Sequence, residues 1–152
     1  MNIEDVASES FLLIFEVSGR ILGARASEVR EVNKIESITR IPILKKPFIG
    51  FTNLHGDVVT LLDIGVMFFN EECKGSFIIT VDHSNEHYGI LIERVVDVIR
   101  PRADIFIRPE MSTVPEVENY TLAYISYKEK AVVPIISLEN VIKAASSEVT
   151  QL

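Results

Sequence analysis

FIGFTNLHGDVVTLLDIGVMFF, residues 48–69, contains two strand patterns, a tight turn and the start of a helix. Apolar or β-prone residues occupy 48–54, and a β-branched run occupies 58–62. Residues 55–57 separate the two runs, and Gly56 can take the positive φ of a tight turn at little cost. This stretch therefore predicts a β-hairpin that leads into a short helix.

Asp63 stands directly before the apolar run 64–69. Its carboxylate can accept hydrogen bonds from the unpaired backbone N–H groups of a first helical turn, so we expect Asp63 to cap this helix. Phe68 and Phe69 are expected to belong to the core, because a short capped helix must bury one face.

Composition indicates a globular protein of one ordinary domain or two very small ones. The chain has 152 residues, 47% of them apolar, with 15 basic and 22 acidic residues and a net charge of −7. Only Lys45 and Lys46 are adjacent cations, so we expect no nucleic-acid partner. The single cysteine, Cys73, excludes an internal disulfide and is typical of a reducing compartment.

The N-terminal sequence MNIEDVASES is acidic where a signal peptide needs a basic and then an apolar run. No stretch approaches the roughly 18 consecutive apolar residues of a membrane span. We therefore expect a cytoplasmic protein without direct membrane insertion.

The two halves of the chain resemble each other. An offset of 66 positions aligns Phe11, Glu16, Gly23, Val29, Glu31 and Val32 with Phe77, Asp82, Gly89, Val95, Asp97 and Val98. Later the offset becomes 74, which aligns residues 58–64 with 132–138 and Asp63 with Ser137, another good helix cap. A period of this length is too long for a solenoid and indicates two tandem β-rich subdomains.

Each half offers about five short strand patterns and one clear helix. Small units of this kind avoid exposed sheet edges by closing, so we predict a mainly β protein of two five-stranded barrels packed together, with a groove at their rim. The expected organisation is a polar lead at 1–10, subdomains at about 11–70 and 77–144, and a polar tail at 145–152. Strand exchange between the halves stays open. So does the stretch 27–32, where Ser27 favours a capped helical turn and the valines favour a strand.

Motifs for phosphate, dinucleotide and zinc-knuckle binding are absent from the sequence. His83 and His87 have a helical metal-ligand spacing, but the residues between them indicate a hairpin turn, so we interpret them as exposed turn histidines. Cys73 lies in an acidic loop that we expect to be exposed, and acidic neighbours disfavour a reactive thiolate. We therefore expect no metal, no cofactor and no catalytic cysteine.

Glu31 and Asp97 occupy repeat-related positions, which places them in different subdomains and argues against a catalytic carboxylate pair. His55 at the hairpin tip, beside Leu54, is either a recognition residue or an ordinary solvent-facing turn residue. Leu54 is likewise open to recognition or to core packing.

With the duplicated β-rich halves and the hairpin in hand, the sequence resembles the CheW family of chemotaxis coupling proteins over roughly residues 10–144. Family members carry an Asn-Leu-Arg-Gly turn followed by an apolar strand and an Asp-capped helix, matched here by GFTNLHGDVVTLLDI, residues 50–64. A V-x-E-[IV] motif is matched by VREV, residues 29–32. The second half matches at Gly89, Val95, Asp97 and Val98.

The resemblance implies two SH3-like barrels, no enzymatic activity and no cofactor. It implies an adaptor that joins the cytoplasmic tips of methyl-accepting chemoreceptors to the regulatory domain of a CheA-type histidine kinase. Motif matching assigns receptor binding to Val29, Glu31, Gly50, Asn53, Leu54, His55 and Gly56. Kinase contacts match no motif and stay unknown.

Two departures from the family pattern stand out. His55 replaces the usual Arg, which removes a permanently charged fork and predicts a weaker or pH-dependent grip on the receptor. Residues 125–130, ISYKEK, lack glycines that family members often have, so the second subdomain presents an altered surface. The alternative function is a small-molecule or peptide sensor that uses the groove between the barrels.

Overall fold

The protein is described by a computed structural model that covers residues 3–129 and 131–150, with side chains to residue 147. In this part of the chain the strands are β1 Leu12–Val17, β2 Arg20–Arg25, β3 Glu31–Lys34, β4 Thr39–Arg40, β5 Phe48–Leu54, β6 Asp57–Leu62, β7 Phe77–His83, β8 Glu86–Ile92, β9 Arg94–Ile99, β10 Phe106–Ile107, β11 Thr121–Tyr127 and β12 Ala131–Ile136. The helices are α1 Glu4–Ala7, α2 Ile64–Phe69 and α3 Leu138–Thr150, with 3-10 turns at Ala26–Glu28, Ala103–Ile105 and Pro115–Tyr120.

The strands form two six-stranded sheets. Sheet A has the order β10-β11-β12-β2-β1-β9, and sheet B has the order β3-β7-β8-β6-β5-β4. The mainly β class with few short helices is confirmed. Closed five-stranded barrels are not observed, because no pairing among the described strands joins the two ends of either sheet. One edge of each sheet is a two-residue strand, which limits pairing with another chain without closure.

The two halves exchange their first hairpins. Strands β1 and β2, from the first half, lie in sheet A with β9–β12, and strands β7 and β8, from the second half, lie in sheet B with β3–β6. The sheets therefore cut across the expected subdomains 11–70 and 77–144. The sequence repeat survives in the pairing, since β12 runs parallel to β2 and β6 runs parallel to β8.

Glycines at repeat-related positions allow these two parallel contacts. Gly23 pairs with Ile135, and Gly89 pairs with Leu61. A Cβ atom at position 89 would lie 2.9 Å from Leu61 Cδ2, and one at position 23 would overlap Ile135 Cδ1. Glycine therefore lets each exchanged hairpin approach its host sheet closely, whereas a larger residue would require the facing Ile135 or Leu61 side chain to move.

The main core lies between the sheets and includes Phe15 of β1, Ile90 of β8 and Ile142 of α3. Residues 145–150, expected to be a polar tail, continue α3, and Ala145 is fully buried in this core. The expected polar lead also differs, because α1 buries Val6. In both cases single apolar side chains anchor segments whose average composition is polar. Residues 1, 2, 151 and 152 lie outside the described range.

Both expected helix caps are confirmed. Asp63 Oδ1 accepts a hydrogen bond from Val66 N at 3.2 Å, and Ser137 Oγ accepts one from Asn140 N at 3.2 Å. The ambiguous stretch 27–32 divides into the 3-10 turn Ala26–Glu28 and strand β3. The stretch therefore contains a helical turn followed by a strand, and each of the two sequence patterns predicted one of them.

Asp63 is 3% exposed, and its carboxylate also accepts from Cys73 N at 3.0 Å. Burial raises the pKa of Asp63 above its ordinary value of 3.8, although its backbone donors act in the opposite direction. Because the folded-state pKa is raised, this residue contributes most to stability below the unfolded-state value, and the contribution is lost as the pH rises through the folded-state value.

Asp63 and Ser137 cap repeat-related helices, so a comparison of the two positions tests this pH dependence. From about pH 4 to pH 7, the free energy of unfolding of wild type should fall relative to that of Asp63→Asn, because only the wild-type carboxyl must ionise while buried. Ser137→Ala should cost roughly 1 kcal/mol at every pH, because a hydroxyl does not titrate in this range. Urea unfolding measures both differences, and a pH-independent difference for Asp63→Asn would contradict the assignment.

Cys73 is buried, contrary to the expected exposed loop. Its Sγ donates to Glu93 Oε2 at 2.8 Å, and the same carboxylate accepts from Lys74 N and Ser18 N. Glu93 thus draws the loop that carries Cys73 onto the protein. Burial, followed by the Glu93 carboxylate, raises the pKa of the thiol well above its usual range.

We expect Cys73 to react with a disulfide reagent at pH 8 at least about tenfold more slowly in the folded protein than in urea, because the thiolate is both shielded and disfavoured. Absorbance of the released reagent thiol follows the reaction. Equal rates in the folded and unfolded states would show that the loop is open.

Candidate functional site

The hairpin tip between β5 and β6 is formed by His55 and Gly56. Both have positive φ, 54° and 86°, as in the two-residue turns that follow the twist of paired strands. A Cβ atom at position 56 would meet nothing within 4 Å, so glycine is favoured there by its backbone conformation and not by lack of space. The tip therefore holds the His55 ring beyond the end of the sheet.

Glu31 of β3 reaches this tip from the far side of the sheet. Its Oε1 lies 3.4 Å from His55 Nε2, and the two side chains are 35% and 66% exposed. Leu54 and Val59 line the small cleft beside them. We call Glu31, Leu54 and His55 the hairpin rim. These residues are apolar and charged neighbours on one accessible surface, as the recognition hypothesis for His55 and Leu54 requires.

The other residues assigned by motif have different surroundings. Val29 lines a separate groove with Val81 and Glu139. Asn53 is exposed on β5, and Gly56 forms the turn. Gly50 is buried with φ of 152° at a β-bulge, where a Cβ atom would overlap the Thr39 carbonyl. The part played by Gly50 within the fold is to let β4 approach β5.

Sequence reasoning missed a set of charges beside the hairpin rim. Arg30 Nη2 lies 3.6 Å from Asp57 Oδ2, and Arg30 Nη1 lies 3.5 Å from Asp82 Oδ1. His87 Nδ1 lies 2.6 Å from Asp82 Oδ1. The hydrogen bond from His87, followed by the charge of Arg30, lowers the pKa of Asp82. Direct pairing of Asp82 with His87 across β7 and β8 is the register signal that would have revealed this cluster.

The metal interpretation of His83 and His87 gains no support. The two histidines lie on opposite sides of a turn, and His83 faces Glu139 at 3.9 Å and the ring of Tyr88. Among residues 3–129 and 131–150, no group of three or more histidine, cysteine or carboxylate side chains is arranged to hold a metal ion.

Glu31 and Asp97 lie in different sheets, as the repeat predicted. Asp97 accepts a hydrogen bond from Tyr127 OH at 2.7 Å, whereas Glu31 faces His55. Both the tyrosine hydrogen bond and the Val98 amide lower the pKa of Asp97. Each carboxylate therefore belongs to its own hairpin end, and the two do not act as a pair.

A second surface is apolar. Phe11, Val95 and Val98 are 44%, 36% and 54% exposed. Val95 pairs with Phe15 and Val98 with Leu13, so all three lie on one face at the β9 edge of sheet A. We call them the β9 patch. Sequence reasoning identified these positions only as repeat partners.

The repeat partners of the β9 patch are covered. Phe77, Val29 and Val32 pack against the main core, which includes Ile142 of α3. Helix α3 has 13 residues, whereas its counterpart α2 has 6. The two repeat-related apolar edges therefore differ: the edge formed by Phe77, Val29 and Val32 packs against the main core, whereas the β9 patch is exposed.

The groove lined by Val29 bears on the sensor alternative. Its volume is about 490 Å³, and it is lined by Glu28, Arg30, Asp82 and Glu139 among others. Small-molecule sites of this size are mostly apolar with few polar groups. The charged lining therefore does not favour a small-molecule pocket.

No helix in the described ranges is long and apolar enough to cross a membrane. The family model of the CheW-like domain matches residues 12–146. No curated protein matches the chain. Among solved structures, the crystal structure of the scaffolding protein TtCheW from Thermoanaerobacter tengcongensis is similar, with 23% identity, a TM-score of 0.71 and coverage of 86% of each chain.

The similarity to that structure supports the observed fold, and the family match extends from β1 into α3. The chain belongs to the CheW family, whose members are non-enzymatic scaffold and adaptor proteins.

Proposed function

We propose that this protein couples the cytoplasmic tips of methyl-accepting chemoreceptors to the regulatory domain of a CheA-type histidine kinase and thereby controls kinase activity. It acts in the cytoplasm, within receptor arrays at the membrane. The observation that carries this proposal is the meeting of Glu31, Leu54 and His55 at one partly exposed cleft. These residues come from the two motifs by which the sequence resembles the family.

The receptor tip binds at the hairpin rim and the β9 patch. A helical coiled-coil tip presents an apolar stripe edged with charged residues. The rim offers Glu31 and His55 for the charged edge, and the patch offers Val95 and Val98 for the apolar stripe. A helical partner suits the patch because the repeat-related apolar edge packs in the core that contains α3.

Calorimetric titration with each of the two partners separately tests the proposal. The chain should bind the kinase regulatory domain and a receptor-tip fragment from the same cell with micromolar or tighter affinity, roughly −8 kcal/mol. Binding of neither protein would overturn the proposed function while leaving the family assignment unchanged.

Val98→Asp should weaken receptor-fragment binding by about tenfold or more, because a carboxylate would be desolvated against the apolar stripe. Val98 is more than half exposed, so the variant should fold. Ile43→Asp is the matched control, since Ile43 is 91% exposed in the loop between β4 and β5 of the other sheet. Equal losses for both variants would show that added charge alone weakens binding.

His55→Arg should strengthen receptor-fragment binding by about two- to fivefold, because a permanently charged guanidinium replaces the imidazole. Asn85→Arg adds the same charge at another positive-φ turn position and serves as control. An unchanged affinity for His55→Arg would show that the residue at position 55 does not set the strength of binding.

A further inference from the structure

Four charged side chains from four segments meet beside the hairpin rim. Arg30 lies just before β3, Asp57 begins β6, Asp82 lies in β7 and His87 lies in β8. Arg30 contacts both carboxylates, at 3.6 and 3.5 Å. His87 faces the same two carboxylates, with Nδ1 2.6 Å from Asp82 and Nε2 3.8 Å from Asp57.

The number of hydrogen bonds that His87 can donate to these carboxylates depends on its protonation state. A neutral imidazole has one N–H donor and one lone pair, whereas the imidazolium ion has two N–H donors. Because each nitrogen faces a carboxylate, only the imidazolium ion presents a hydrogen to both. In the Nδ1-protonated neutral tautomer, a lone pair faces Asp57; in the Nε2-protonated tautomer, Nδ1 no longer donates to Asp82 and can only accept from Arg30 Nη1 at 3.0 Å.

Protonation also decides the charge balance. With charged His87, two cations face two carboxylates. With neutral His87, Arg30 alone faces both, and its Nη1 already lies 3.0 Å from His87 Nδ1. The lowered pKa of Asp82, caused first by the His87 hydrogen bond, indicates that this carboxylate stays ionised throughout the range in which histidines titrate.

We propose that Arg30, Asp57, Asp82 and His87 form a pH-sensitive latch that holds hairpin β5–β6 against hairpin β7–β8 while His87 carries a proton, and that loosens when the proton is lost. Asp57 directly follows the tip residues His55 and Gly56, so the latch controls the position of the tip. Glu31 and His55 line the same cleft and contact each other at 3.4 Å.

The control of receptor binding by this latch rests on the proposed function, whereas the latch itself does not. Nuclear magnetic resonance can therefore test it on the protein alone. The backbone amides of residues 55–57 are followed from pH 5.5 to pH 8 in a His55→Gln background, which removes the titration of the tip ring. The ring signals of His87 are followed in the same samples.

The amides of 55–57 should shift together with the His87 ring signals, and the shifts should disappear in His55→Gln/His87→Gln. They should persist in His55→Gln/His83→Gln, because His83 lies across the same turn and faces Glu139. Amides that do not follow the His87 ring, or that still titrate after His87→Gln, would overturn the latch. Chemical-shift spectra also report directly whether each variant is folded.

The link to receptor binding has its own readout. In the His55→Gln background, the receptor-tip fragment should bind about two- to fivefold more tightly at pH 6 than at pH 8, the range of partly exposed ion pairs. His87→Gln should abolish this ratio. A ratio that survives His87→Gln would overturn the link, whereas absence of any receptor binding would count against the proposed function and leave the amide titration as the test of the latch.

Discussion

The exchange of the β1–β2 and β7–β8 hairpins is the constraint on which the rest of the structure depends. Each exchanged hairpin pairs with its host sheet on both sides: antiparallel through β1–β9 and β3–β7, and parallel at Gly23 against Ile135 and at Gly89 against Leu61. A side chain at either glycine would displace the Ile135 or Leu61 side chain that packs against it. Since each sheet is completed by strands from the other half, neither half can form its sheet alone.

The exchange also fixes the candidate docking surfaces relative to each other. The hairpin rim belongs to sheet B and the β9 patch to sheet A, yet the main core joins both sheets through side chains such as Phe15 and Ile90. An adaptor that transmits a signal between two partners needs such a body, because a flexible joint between surfaces would absorb movement. The net charge of −7 includes Glu31 in the hairpin rim and Asp57 and Asp82 beside it.

Local features were predictable from the sequence, and long-range ones were not. The β5–β6 hairpin and the caps Asp63 and Ser137 depend on neighbouring residues, so the pattern revealed them. The sequence repeat predicted which strands are equivalent, but it could not predict the hairpin exchange. The same alternating residues would be buried whether a hairpin paired within its own half or with the other half. The charged cluster around His87 could not be predicted without knowing which residues of β7 and β8 face each other. The β9 patch required the unequal lengths of α2 and α3 and their packing, and the burial of Cys73 required Glu93 from a distant strand.

If the protein couples its two partners, they bind different surfaces and do not compete. The most direct test is analytical ultracentrifugation of a preformed complex between this chain and the kinase regulatory domain, to which the receptor-tip fragment is added. If the two partners bind different surfaces, a faster-sedimenting species that contains all three proteins should form. Release of the kinase domain as the receptor fragment binds would contradict this expectation, because the two partners would then share one surface and no coupling through this chain would be possible.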